Sequence, residues 1–157
     1  MQKILIVGGA GYIGSHAVKN LSKNYHVIVY DNLSEGHREA VGDSDFICGD
    51  INDSNILDKV FANNKIDAVM HFSAYTYVGE SVENPKKYYE NNVAATINLL
   101  SSMLKHNVKH FVFSSTCAIY GMPAYIPIDE QQPQNPINPY GASKVMVERI
   151  LADYCNA

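Results

Sequence analysis

Three side chains in the second half of the sequence have the types and spacing for proton transfer: Thr116, Tyr140 and Lys144. Tyr140 and Lys144 are four apart, so on a helix they share a face. A free phenol, with a pKa near 10, is a poor base at neutral pH, and an ammonium group one turn away favours phenolate. Thr116 closes a Ser-Ser-Thr run and can offer a hydroxyl to the same reacting oxygen. Together they would make a base, its electrostatic activator and a hydrogen-bond relay. Tyr-x-x-x-Lys alone is more often a helical tyrosine packed by a lysine stem, so its weight depends on what precedes it.

What precedes it is a phosphate-binding turn. The apolar run Ile4 to Val7 reads as a strand buried on both faces, and Gly8, Gly11 and Gly14 follow at three-residue intervals. Gly8 lets the chain leave the strand, Gly11 lets backbone amides approach a pyrophosphate, and Gly14 brings the next helix close to the sheet. Gly14, Ala17, Val18 and Leu21 recur at helical spacing, so the amino end of that helix faces the ligand. A second apolar strand, His26 to Tyr30, ends at Asp31, about twenty residues past the glycines, where a dinucleotide fold meets the adenosine ribose. A carboxylate there accepts from both ribose hydroxyls and repels a 2′-phosphate. The expected cofactor is NAD rather than NADP, and a nicotinamide cation would add to the pull on the Tyr140 proton.

The remaining elements place these groups. Residues 33–43 read as a loop with at most a short helix, and Asp45 to Cys48 as a third strand. Asp53 caps a helix carrying Ile56, Val60 and Phe61. Asp50 and Ile51 could touch an adenine ring, and Asp50 could equally be a turn residue. The fourth strand, Ala68 to Phe72, ends in small residues, Ser73 and Ala74, before a loop from Tyr75 to Ser81. Asn84-Pro85 opens a helix expected to run to His106, about 33 Å, with one stripe through Tyr88, Asn92, Ala95 and Leu99. A second stripe, Tyr89, Val93, Ile97, Leu100 and Leu104, suits a partner. His110 to Phe113 is a fifth strand, residues 122–136 an irregular connection, and Asn138-Pro139 opens a last helix burying Val147, Ile150, Leu151 and Tyr154. Alternating strands and helices predict an α/β fold, a doubly wound parallel sheet in the order 3-2-1-4-5.

Composition bounds the partners. At 157 residues and 46% hydrophobic, the chain is one ordinary globular domain able to bury about two thirds of its unfolded surface. A net charge of −4 supplies no basic patch for nucleic acid or an anionic membrane. The start of the chain reads as neither signal peptide nor membrane span. Cys48, Cys117 and Cys155, odd in number and without C-x-x-C spacing, fit reduced thiols and a cytoplasmic location. No His or Cys pattern predicts a metal site.

Gly8-x-x-Gly11-x-x-Gly14, Asp31-Asn32-Leu33-Ser34, Gly49-Asp50-Ile51, His71-Phe72-Ser73-Ala74, Val78-Gly79-Glu80-Ser81, Tyr88-Tyr89-Glu90-Asn91-Asn92 and Tyr140-x-x-x-Lys144 stand in register from Lys3 to about Tyr154. In these the chain resembles the extended short-chain dehydrogenase/reductases, and within them the UDP-glucose 4-epimerases. The resemblance implies a Rossmann-like fold and a tightly held NAD that takes and returns a hydride at C4 of UDP-glucose or UDP-galactose. It implies NAD contacts from Gly8, Gly11, Tyr12, Ile13 and Gly14, and from the run Asp31, Asn32, Leu33, Ser34, Glu35 and Gly36. Further contacts would come from Asp50 and Ile51, then Phe72, Ser73, Ala74, Tyr75 and Thr76, then Asn91. Tyr140 would be the base at the 4-hydroxyl, Thr116 its hydroxyl partner and Lys144 the holder of the nicotinamide ribose. A homodimer through the two long helices is also implied.

Two departures stand out. Thr76 occupies a position where many epimerases carry lysine, and Thr116 one where many carry serine. Family members also continue beyond position 157 into a smaller domain that grips uridine diphosphate, so residues 1–157 are expected to form an incomplete NAD-binding domain without the substrate domain. Such a chain would bind UDP-sugar weakly, turn it over slowly and self-associate along the strand His110 to Phe113. Dehydratases and decarboxylases of the superfamily use acids just after the strand-end threonine, where this chain has Cys117 and Ala118. An epimerase of N-acetylated sugars and a non-catalytic NAD-binding module stay open.

Overall fold

A computed structural model describes residues 1–156. The chain divides into two compact units, Met1–Ser73 with Ile97–Ser114 and Ala74–Thr96 with Ser115–Ala157. The first unit is built on a sheet: β1 (Lys3–Val7), β2 (His26–Asp31), β3 (Asp45–Cys48), β4 (Ala68–His71) and β5 (His110–Phe113). All neighbours pair parallel, in the order β3-β2-β1-β4-β5. Parallel pairing needs crossovers that cover the faces, which is why β1 and β2 read as unbroken apolar runs. Ile4, Ile6, Val27 and Val29 pack on one face with Val18 of α1 (Tyr12–Leu21) and with Val41. Leu5, Ile28 and Val69 are buried as well, as are Leu57, Val60 and Phe61 of α2 (Ser54–Asn63). Asp53 caps α2 as expected, its Oδ1 accepting from the amides of Asn55 at 3.0 Å and Ile56 at 3.1 Å. The loop after β2 carries only a 3₁₀ turn, Arg38–Val41.

The second unit is helical. Where the sequence reads as a loop from Tyr75 to Ser81, the chain forms α3 (Val78–Glu83). Gly79 looks like a breaker but lies in open space, so its cost is only the ordinary ~1 kcal/mol of a helical glycine. Buried Ser81 and the Glu80 contacts described below offset it.

The expected single helix from Pro85 to His106 is instead α4 (Pro85–Tyr88), a π-helical stretch over Tyr89–Ala94, and α5 (Ala95–Lys105). The widened turn carries Asn92, whose side chain bonds Tyr75 and Ser143. Segments of this kind gather at functional sites. Tyr88, Asn92, Ala95 and Leu99 are buried as the stripe requires, whereas Ile97 and Leu104 of the other stripe are exposed.

α6 (Pro139–Asn156) is opened by Asn138, whose Oδ1 accepts from the Gly141 amide at 2.8 Å. Its buried residues are Gly141, Ser143, Lys144 and Val147, so the expected apolar face through Ile150, Leu151 and Tyr154, each half-buried, gives way to a smaller and more polar one. The helix needs close approach at its amino end, which bulky side chains would prevent. No described helix is long and apolar enough to cross a membrane.

Candidate functional site

The residues singled out in the sequence fall into two sets, one in each unit. In the sheet unit, Gly8 follows β1 with φ +78°, and a Cβ there would lie 2.4 Å from the Ser73 amide nitrogen. A Cβ on Gly14 would lie 2.1 Å from the Gly8 carbonyl oxygen, so both glycines are there because nothing larger fits. Gly11 differs. A Cβ would meet only the Gly8 oxygen, at 3.5 Å, which leaves open ground in front of the first amides of α1. Gly11 caps that helix without a side-chain bond, and Tyr12 and Ile13 after it are exposed. Unpaired amides with the positive end of a helix dipole and room in front of them suit a pyrophosphate.

Asp31, at the end of β2, is buried, and its carboxylate already has two partners. Oδ2 accepts from the Ala10 amide at 2.9 Å and Oδ1 from the Leu33 amide at 2.8 Å. A carboxylate offers about four acceptor positions, so ribose hydroxyls still find room. The glycine loop is also stitched from the other side, where the His37 amide donates to the Ala10 carbonyl at 3.0 Å. Gly36 stands so close that a Cβ would lie 2.7 Å from Ala10 backbone carbon. Asn32, Ser34 and Glu35 are exposed between these anchors. Ala10, held at both its amide and its carbonyl, has no sequence signal, since alanine between glycines looks like filler.

Asp50 takes a turn role, Oδ1 accepting from the Asn52 amide at 2.8 Å and Oδ2 from Asn32 Nδ2 at 2.8 Å. Burial pushes its carboxyl up, but bonds from the Asn52 backbone and the Asn32 and Asn52 side chains outweigh burial and hold it below the ordinary value. Its backbone carbonyl accepts from the hydroxyl of buried Tyr30, a phenol raised above its ordinary value by burial first and by Asp50 second. Ile51 is buried, and Phe72 and Ser73 follow β4, both amides donating to the Val7 carbonyl, at 2.8 and 3.2 Å.

In the helical unit, Tyr140 stands half-buried in the first turn of α6 and Lys144 one turn later, only 3% exposed. Burial lowers the Lys144 ammonium to about 8, so it is still protonated at neutral pH. Thr116 heads a 3₁₀ turn, Cys117–Tyr120, its Oγ1 accepting from the Ala118 amide at 3.2 Å. That bond occupies a lone pair and leaves the hydroxyl proton to donate. α6 packs on this turn through Gly141, where a Cβ would lie 2.6 Å from the Ala118 carbonyl oxygen.

Asn92 holds the unit together. Its Oδ1 accepts from the Tyr75 amide at 2.9 Å and from Asn91 Nδ2 at 3.0 Å, while Nδ2 donates to the Tyr75 carbonyl at 3.0 Å and to Ser143 Oγ at 3.1 Å. Ser143 Oγ donates to the Tyr140 carbonyl at 2.6 Å. Lys87 pairs with Glu80 at 2.6 Å and lies 4.1 Å from the Tyr75 ring centre, and Glu80 also accepts from the Tyr88 hydroxyl at 2.8 Å. Ala74 is half-buried and Thr76 exposed. The bond between Asn92 and Ser143 has no local signal in the sequence, because the two lie 51 positions apart. Among the described residues no cluster of three His, Cys, Asp or Glu could hold a metal ion.

The sequence profile of the NAD dependent epimerase/dehydratase family matches residues 4–157. The chain belongs to this family. Among its relatives are a UDP-glucose 4-epimerase of Lactobacillus helveticus, 54% identical over 96% of this chain and 46% of that protein, and a putative UDP-arabinose 4-epimerase of Arabidopsis thaliana, 48% identical over 96% and 39%. A crystal structure of UDP-glucose 4-epimerase from Brucella ovis in complex with NAD superposes with TM-score 0.97 at 49% identity, over all of this chain and 49% of that one. The chain spans about half the length of the curated relatives it matches.

Lys144 also predicts a pH dependence of stability. Its folded value near 8 lies below the unfolded 10.5, so between those values the unfolded chain binds more protons and stability rises with pH. That stabilisation is lost as pH falls towards 8. Lys144→Met should lack this rise, and its stability relative to the native chain should fall by on the order of 3 kcal/mol between pH 7.5 and 10.5. Denaturant titrations across that range test it, and a constant difference would show that burial does not depress the ammonium.

Proposed function

We propose that this chain is the NAD-binding and proton-transferring portion of a UDP-hexose 4-epimerase that interconverts UDP-glucose and UDP-galactose. The observation that carries the reading is the buried Lys144 ammonium one helical turn from Tyr140. Burying an ammonium is costly, and a core position would take an apolar side chain more cheaply, so the cation has a use. That use is to hold the nicotinamide ribose. The glycine cradle with its open ground at Gly11, and the free acceptor capacity of Asp31, fit a dinucleotide. NAD, when bound, supplies the hydride acceptor at C4 of the hexose and returns the hydride to the other face.

In this reading residues 1–157 form one incomplete NAD-binding domain. The amides of Tyr12 and Ile13 hold the pyrophosphate, and Asp31 to Gly36 hold the adenosine ribose. Asp50 and Ile51 flank adenine, and Phe72 to Thr76 with Asn91 complete the cofactor contacts. Tyr140 takes the proton of the 4-hydroxyl as the hydride leaves and gives it back on return, while Thr116 donates a hydrogen bond to the same oxygen. A cytoplasmic homodimer belongs to the proposal, but not through two long helices as expected, since the first is divided into α4, the π-helical stretch and α5. Exposed Ile97 and Leu104 are what it offers a second copy. The UDP-arabinose 4-epimerases among the relatives favour a second reading in which the sugar is a pentose.

The cofactor half is tested by calorimetry of this chain with NAD and with NADP. A 2′-phosphate beside the buried Asp31 carboxylate costs several kcal/mol at a partly buried site, so NAD should bind at least about 100-fold tighter. Equal affinities would overturn the assignment of Asp31. Conversion rates for UDP-glucose, UDP-arabinose and UDP-N-acetylglucosamine, measured on the chain extended to the length of its relatives, decide the sugar.

A further inference from the structure

Glu148 has no part in the proton-transfer set, yet it holds the neighbours of that set. It lies on α6 one turn past Lys144 and two past Tyr140. Its Oε1 accepts from Ser115 Oγ, and its Oε2 accepts from Gln134 Nε2 at 2.5 Å. Ser115 directly precedes Thr116. Gln134 directly precedes Asn135, whose amide donates to the Ile119 carbonyl at 2.9 Å. Seven residues before Glu148, Gly141 lets α6 press against the Ala118 carbonyl. Positions 141, 144 and 148 follow i, i+3, i+7 and lie along one stripe of the helix. α6 therefore grips the segment 115–119 at two points, with buried Lys144 on the stripe between them.

We propose that Glu148 is a positioning residue, which by bonding Ser115 and Gln134 keeps the Thr116 hydroxyl in register with Tyr140. The inference rests on the roles proposed above for Thr116 and Tyr140. A hydroxyl that must meet the oxygen a phenol is deprotonating has little tolerance, since a misplacement of about 1 Å can cost on the order of 100-fold in rate. Hydrogen bonds to a carboxylate are about twice as strong as neutral ones, and two of them from different stretches of chain fix both stretches. The Gly141 contact alone would leave the segment free to pivot about Ala118. The Glu148 contact limits that freedom at the end where Thr116 stands, adding to the bond of the Ser114 amide to the His71 carbonyl at 3.1 Å.

The test is a ¹⁹F NMR spectrum of the chain with 3-fluorotyrosine at position 140, which needs no turnover. Thr116→Val removes the hydroxyl and should shift the resonance. Glu148→Ala and Ser115→Ala should shift it in the same direction by a similar amount, and combining either with Thr116→Val should add nothing. Glu148→Gln, which keeps an acceptor for Ser115, should restore the native position. Arg149→Ala, one residue on and paired only with exposed Asp153 at 3.1 Å among the described contacts, should leave it unchanged. If Thr116→Val shifts the resonance while Glu148→Ala and Ser115→Ala do not, the positioning role is wrong. A Glu148→Gln shift as large as that of Glu148→Ala would make the effect one of charge and also overturn it. Should Glu148→Ala fail to fold, Ser115→Ala carries the same comparison without touching α6. No shift in Thr116→Val would instead remove the Thr116–Tyr140 partnership of the functional reading, and this inference with it.

Discussion

Tyr140→Phe should leave NAD bound and lower epimerisation by roughly 10²- to 10⁴-fold, the usual contribution of a positioned general base. The substitution deletes one oxygen from a half-buried ring and leaves α6, the Asn138 cap and buried Lys144 in place. Its effect should therefore appear in kcat, with the cofactor affinity and the unfolding midpoint close to native. Lys144 cannot replace the phenol, because at neutral pH it is already protonated. Thr116 cannot either, since a hydroxyl is far too weak an acid to hold the charge. Turnover and bound nucleotide are measured on the chain extended to family length. Near-native turnover in the variant would take the proton-transfer role away from Tyr140.

The second large effect is expected at Gly14, where two rules give opposite signs. Alanine is the better helix former by about 1 kcal/mol, so propensity alone makes Gly14→Ala stabilising. Packing says otherwise: the added Cβ would stand 2.1 Å from the Gly8 oxygen, 2.8 Å from the Gly9 Cα and 2.9 Å from the Gly8 carbon. All three are backbone atoms that cannot rotate away. Overpacking commonly costs 1–3 kcal/mol where side chains can give, and here about 3 kcal/mol or more is expected, with loss of NAD binding as α1 is pushed off the sheet. Gly79→Ala in α3 is the control, since its Cβ meets nothing within 4 Å and should gain about 0.5–1 kcal/mol. Urea denaturation of the two variants decides the matter. Equal and small effects would mean that the glycine turn is looser than its geometry.

What is legible in the sequence is what depends on neighbours along the chain. Buried parallel strands, the glycine turn and the Asp53 and Asn138 caps follow from local pattern, and the sheet order from the dinucleotide fold that the glycine turn announces. Less legible are groups whose partners are distant. Asp31 reaches Ala10 across 21 positions, Glu148 reaches Ser115 across 33 and Asn92 reaches Ser143 across 51, and no spacing rule signals such bonds. The π-helical stretch was hidden for a related reason. Tyr88, Asn92, Ala95 and Leu99 fit an ordinary helical stripe, and the bonds that mark out the widened turn, from Asn92 to Tyr75 and Ser143, join distant stretches of chain. α3 was hidden by Gly79, whose penalty is small and is offset by tertiary bonds.

Asp31 ties cofactor choice to the shape of the loop that receives the cofactor. The carboxylate proposed to reject a 2′-phosphate is the same one that accepts from the Ala10 amide between the glycines. An apolar or basic residue at position 31 that admitted NADP would orphan a buried amide and loosen the turn in the same stroke. A change to a basic residue, which would favour the phosphorylated cofactor, therefore removes the acceptor that holds the turn. An engineer or a drifting lineage would first have to give the Ala10 amide another acceptor, and only then could the charge at the strand end change sign.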